Sequence, residues 1–185
     1  MVDNGEVSAN IELRRKELYF STMMGIVFSI LASVYFYFTG YPLVNTATEI
    51  LNLVTPPIYM LPVFFPFGIL VGDVINEWLK KEQGKAILLF SFVIIIGGYS
   101  FFRLISNIPL SGHAIIITYY LLYEIFYRKR VSLIRILAGV IPYSITIFYK
   151  FLIWNDPLTF VYGSLFGAGI GIVHYLFTRV TRKLY

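Results

Sequence analysis

The chain has no cysteine. That excludes disulfides, iron–sulfur clusters and thiol catalysis, and leaves the compartment open. Charge is scarce: Asp, Glu, Lys and Arg make up 14% of 185 residues. Histidine occurs twice, at His113 and His174. No Gly-rich phosphate loop, metal-spaced His cluster or internal repeat is visible, so neither a metal nor a cofactor is implied. The alternation expected of a membrane β-barrel is missing as well.

What is abundant is apolar surface. Hydrophobic residues make up 58% of the chain and mean hydropathy is +0.75. A soluble domain of this size cannot hide that much apolar side chain. Several runs reach the roughly 20 helical residues needed to cross about 30 Å of hydrocarbon. Backbone groups in lipid must pair within their own segment. The pattern therefore predicts an all-α, polytopic membrane protein with six transmembrane helices. Spans are expected at 18–39, 58–79, 84–105, 111–127, 132–153 and 157–178. They form one domain, 18–178, between tails at 1–17 and 179–185. The first apolar run follows IELRRKELYF without a small-residue cleavage site and reads as a retained span. The stretch 43–55 is expected to form a short surface helix, stopped at Thr55-Pro56-Pro57.

Basic residues sort by side. Arg14, Arg15, Lys16, Lys80, Lys81, Lys85, Arg128, Lys129, Arg130, Arg135, Arg179, Arg182 and Lys183 fall on one face of a six-span chain, thirteen of the fifteen. Cytoplasmic loops carry such an excess, so both termini are expected in the cytoplasm and the protein in the cell membrane. Trp78 and Trp154 fit interfacial belts at opposite faces. The +5 net charge is placed at membrane edges and not in a nucleic-acid patch.

The two remaining cations, Arg103 and Lys150, fall at the opposite face. Ser111, Gly112 and His113 open the fourth span there, and Asn155-Asp156 precedes the sixth. A helix start presents unpaired N–H groups to an anion. Ser111 can cap it, Gly112 allows close approach, and Arg103 and Lys150 add charge for phosphate oxygens. His113 can serve as acid or nucleophile. One by one the bland readings hold: snorkelling cations, a small-residue helix start, and Asp156-Pro157 as an ordinary cap with Pro at the first position.

With these residues in order, PLSGHA (109–114) resembles the PSGH motif of the lipid phosphate phosphatase superfamily, and about 85–171 follows that family's layout. Its first motif, KxxxxxxRP, would place Arg103 at the end of the third span. Its third, SRxxxxxHxxxD, corresponds to YKFLIWNDPLTFVYGSLFG (149–167). Leu104 stands where the family has Pro, and Leu110 replaces the Pro before Ser111. The nucleophilic His is replaced by Asp156 or Asn155, depending on alignment. The resemblance implies a lipid phosphate or diphosphate hydrolase, for instance of a polyprenyl carrier. In it His113 and Asp156 would be catalytic and Arg103, Ser111, Gly112 and Lys150 would bind phosphate. The alternative is a non-catalytic relative that binds a lipid phosphate or supports a membrane complex.

A third reading is a small solute transporter. GDVINEW (72–78) places Asp73 and Glu77 on one helix face, and acids within spans are functional candidates by default. This stretch resembles vitamin-uptake membrane proteins, which the rest of the chain does not follow. Asp73 has Glu124, His174 or an ion as its expected partner. Gly163, Gly167 and Gly171, four apart, predict close helix packing. His113 and His174 lie about 25 Å apart along their spans at 1.5 Å per residue, too far to share one iron.

Overall fold

The computed structural model describes residues 4–39, 49–106, 109–127, 132–153 and 155–184. Those residues form α1 (Asn4–Thr39), α2 (Glu49–Leu79), α3 (Gln83–Ser106), α4 (Gly112–Tyr127), α5 (Leu133–Phe148) and α6 (Pro157–Leu184). A π-helical turn, Tyr149–Ile153, continues α5. Among the described residues the fold is all-helical, with no strand. Four segments are long and apolar enough to cross a membrane: Ile11–Tyr35, Gln83–Ser100, Leu133–Leu152 and Pro157–Val180.

One sequence expectation is corrected. The helix does not stop at Thr55-Pro56-Pro57, because α2 begins at Glu49 and runs through both prolines to Leu79. Proline removes one N–H and crowds the preceding turn, but apolar surroundings leave a helix as the backbone's only self-satisfied form. Of the expected surface helix, 43–48 lies outside the described residues. Helix also continues into both expected tails, 1–17 and 179–185. α1 starts at Asn4 and α6 ends at Leu184, since helix propensity and pairs such as Glu12–Lys16 (2.9 Å) carry the helix beyond its apolar stretch.

Successive helices run antiparallel, so their ends gather in two groups. Glu17 of α1 meets Lys80 just after α2 at 2.8 Å, which fixes one end, the basic end. At the other, the Ser111 N–H donates to the Thr159 carbonyl at 2.9 Å. α4 is the central helix. It packs against α2, α3, α5 and α6 and buries Gly112 to Ile117, Tyr119, Tyr120, Tyr123 and Glu124. A helix apolar on every side belongs in the middle of a bundle.

Two helix pairs are especially close, and glycine explains both. A Cβ on Gly167 would lie 2.5 Å from the Ile115 carbonyl oxygen, and one on Gly163 2.5 Å from that of Ser111. Thus α6 lies directly on the α4 backbone. On the other side, a Cβ on Gly68 would come within 2.7 Å of the Met24 carbonyl oxygen, and one on Gly72 within 2.7 Å of the Ser21 Cα. So α1 lies on α2 in the same way. Without a hydrophobic drive between helices in lipid, such close approach is what holds pairs together.

Candidate functional site: a buried charge cluster beside a cavity

Arg135 is fully buried on α5, a little over half a turn past its start. Its Nη1 donates to Asp73 Oδ1 at 3.1 Å and its Nη2 to Asp73 Oδ2. Its Nε donates to Glu124 Oε1 at 2.8 Å, and Nη2 reaches the same oxygen at 2.7 Å. Asp73 and Glu124 are 2% and 0% exposed. The guanidinium fork suits this task, because it meets carboxylates with paired, geometrically fixed donors. One side chain thereby ties α2, α4 and α5 together.

Further donors complete the cluster. Ser21 Oγ donates to Asp73 Oδ1 at 2.7 Å, and Asn76 Nδ2 donates to Ser21 Oγ at 2.9 Å. This brings α1 into the network. Tyr120 donates to the Arg135 carbonyl at 2.9 Å. Such placement is costly unless every charge is paired, and removing one partner of a buried pair typically costs about 3–5 kcal/mol.

One turn from Asp73 along α2, Glu77 lines a cavity of about 530 Å³ at the basic end. Its deep wall is aromatic and comes from α4 and α6: Tyr123, Tyr127 and His174. The His174 ring stacks on Phe92 at 4.0 Å, and Tyr127 lies 4.2 Å from it. His174 Nδ1 pairs with the Tyr119 hydroxyl at 2.8 Å, which leaves the tautomer to that shared proton. Tyr127 donates to the His174 carbonyl at 2.6 Å. The rim comes from α1, the α2–α3 turn and α3 and is charged: Arg14, Glu17, Lys80, Glu82 and Lys85. Burial alone would lower the Lys80 ammonium, but its bond to Glu17 and the charges of Glu77 and Glu17 outweigh that and hold it above the ordinary lysine value.

The opposite end holds most of the residues expected to bind phosphate. Lys150, in the π-helical turn, donates to Asp156 Oδ2 at 3.0 Å and to Thr159 Oγ1 at 3.1 Å. Asn155, with φ of 48°, turns the chain back so that the Asp156 N–H reaches the Lys150 carbonyl at 2.8 Å. Asn is one of the few residues at ease in that left-handed region. Burial raises the Asp156 carboxyl, but hydrogen bonds from Thr159 and Lys150 prevail and keep it below the ordinary carboxylate range. Ser111 caps α4 weakly, its Oγ accepting the Ala114 N–H at 3.4 Å. The Gly112 carbonyl accepts Ser100 Oγ at 3.5 Å. Ser111, Lys150 and Asp156 are thus joined through Thr159. His113 lies in the first turn of α4 and is 8% exposed. Arg103 belongs to α3, and its side chain falls outside the described residues, as does Trp154.

Sequence reasoning identified Asp73 and Glu124 but not Arg135, which it counts only among the basic residues between the fourth and fifth spans. The signal was present: Arg135 lies inside the apolar run LIRILAGVIPY, at the same end as both acids. The Tyr123–Tyr127–His174 wall was missed, because its members come from two helices distant in sequence. No protein-family model, curated protein or solved structure matches the chain.

Proposed function

We propose that this chain is a six-span membrane carrier for a small polar solute, with both termini in the cytoplasm and the basic end facing it. The observation that supports this best is the Asp73–Arg135–Glu124 cluster beside the cavity. Charges buried within a bundle at membrane depth are expensive to keep, and they mark solute or ion pathways by default. The cavity lies between the α1–α2 pair and the α4–α6 pair, the two closest-packed units. Arg135 bridges these units by holding Asp73 of one and Glu124 of the other. A carrier needs two rigid units, a site between them and a breakable clasp, and alternating access is a rocking of one unit against the other.

The test is uptake into proteoliposomes over a panel of labelled amino acids, nucleobases and vitamins. Wild type should accumulate at least one solute above protein-free vesicles, and Asp73→Asn should abolish this. No accumulation by wild type across the panel would sink the carrier reading. Outside labelling of a cysteine placed at position 130 would overturn the orientation.

A second reading, binding or hydrolysis of a lipid phosphate at the Ser111 end, draws support from the convergence of Ser111, Lys150 and Asp156. It is the weaker one on charge grounds. Lys150 already pairs with Asp156, and the Ser111 N–H is engaged by Thr159, so an arriving phosphate must displace both. Phosphate release from a polyprenyl diphosphate by wild type, lost in His113→Ala, would restore this reading to first place.

A further inference from the structure

The rim of the cavity carries charge that its internal pairs do not balance one for one. The Lys80 ammonium is shared by two carboxylates, Glu17 at 2.8 Å and Glu77 at 3.3 Å. Glu82 is met separately by Lys85. Arg14 lines the same cavity, one turn before Glu17 on α1, and among the described residues no carboxylate pairs with it. The mouth therefore presents one excess acid and one excess base. Behind them stands the aromatic wall, where Tyr127 lies 5.1 Å from Tyr123 and 4.2 Å from His174.

We infer that the cavity binds a small zwitterion with an aromatic body, its carboxylate on Arg14, its ammonium between Glu17 and Glu77, and its ring against Tyr123, Tyr127 and His174. The inference rests on the carrier reading for its purpose, though not for its measurement. A guanidinium takes a carboxylate through two parallel hydrogen bonds. An ammonium offers three donors, which suits a pair of carboxylates that share one cation. Aromatic rings favour offset or edgewise packing against such a wall, and an ammonium gains from a nearby tyrosine face. The volume, about 530 Å³, falls within the ~300–1,000 Å³ of small-molecule sites. A ligand with one charge leaves either Arg14 or the excess carboxylate unmatched while still losing solvent, so specificity arises from the unmatched group.

Three probes share one ring and differ only in charge: para-fluorophenylalanine, para-fluorophenylpropanoate and para-fluorophenethylamine. Their binding to the full chain in phosphatidylcholine nanodiscs is read by fluorine NMR. The zwitterion should bind about tenfold more tightly than either singly charged analogue, the scale of one charge-assisted hydrogen bond. Arg14→Gln should reduce the zwitterion to the level of the amine, and Arg14→Lys should recover part of the loss. Arg14 is exposed, so these variants keep the fold, and an unchanged thermal midpoint checks that. Equal binding of the acid or the amine, an unchanged affinity in Arg14→Gln, or no binding by any probe would each overturn the inference. Zwitterion binding without uptake sinks the carrier reading and leaves this one standing. Uptake of other solutes without zwitterion binding does the reverse.

Discussion

Replacing Arg135 with methionine removes the one cation that both Asp73 and Glu124 share, while filling similar space. The change deletes donors to Asp73 Oδ1 at 3.1 Å and to Glu124 Oε1 at 2.8 Å, along with the Nη2 contacts to both acids. Two carboxylates, 2% and 0% exposed, then face each other's charge without it. Breaking a buried pair in this way costs about 3–5 kcal/mol. For a chain of this size each kcal/mol moves the thermal midpoint by about 2–4 °C, so a fall of about 6–20 °C is expected. Circular dichroism of the detergent-solubilised protein measures it. The triple variant Arg135→Met, Asp73→Asn, Glu124→Gln should regain much of the loss, because neutral amides cost far less to bury than carboxylates. A midpoint for Arg135→Met within about 2 °C of wild type would refute the reasoning, and so would a triple variant no better than the single.

Glycine packing makes a paired prediction. Gly167→Ala places a methyl 2.5 Å from the Ile115 carbonyl oxygen and should cost about 1–3 kcal/mol, whereas Gly169→Ala meets nothing within 4 Å and should gain about 0.5–1 kcal/mol. Chemical unfolding of both variants compares them directly, and equal effects would remove the close α4–α6 approach from the account. A third prediction concerns pH. The folded Asp156 carboxyl sits below its unfolded value of 3.8, so its contribution is present above that value and is lost as pH falls through the folded one. Asp156→Asn should therefore have a flatter midpoint-versus-pH curve than wild type below about pH 4, and parallel curves would contradict the Lys150–Asp156–Thr159 arrangement.

The six helices among the described residues were legible because apolar runs carry one physical signal, length. The glycines at 163, 167 and 171 were legible for a similar reason: a repeat of four places them on one face. Pro56 and Pro57 misled, because the stop rule comes from helices in water, where a broken helix can hydrogen-bond to solvent. Asp73 announced itself as an acid inside an apolar run. Its partner did not, because Arg135 sits near a helix end and was absorbed into the charge count for sidedness. Lys150, Asp156 and Ser111 lie together at one end, yet Thr159, which joins them, carried no motif. The cavity had no sequence signal, since its wall and rim come from five helices and only the fold brings them together.

The absence of native cysteine allows the carrier account to be tested along a single helix. Leu88 on α3 lines the cavity at the basic end, and Ser100 lies twelve positions later, next to the start of α4. Leu88→Cys and Ser100→Cys are each labelled with an impermeant maleimide in right-side-out and inside-out vesicles, with and without the solute that gives uptake. The account predicts that Leu88→Cys labels only from the cytoplasmic side and is protected by solute, while solute raises labelling of Ser100→Cys from the opposite side. Labelling of Leu88→Cys from outside, or rates at both positions that ignore a transported solute, would contradict it.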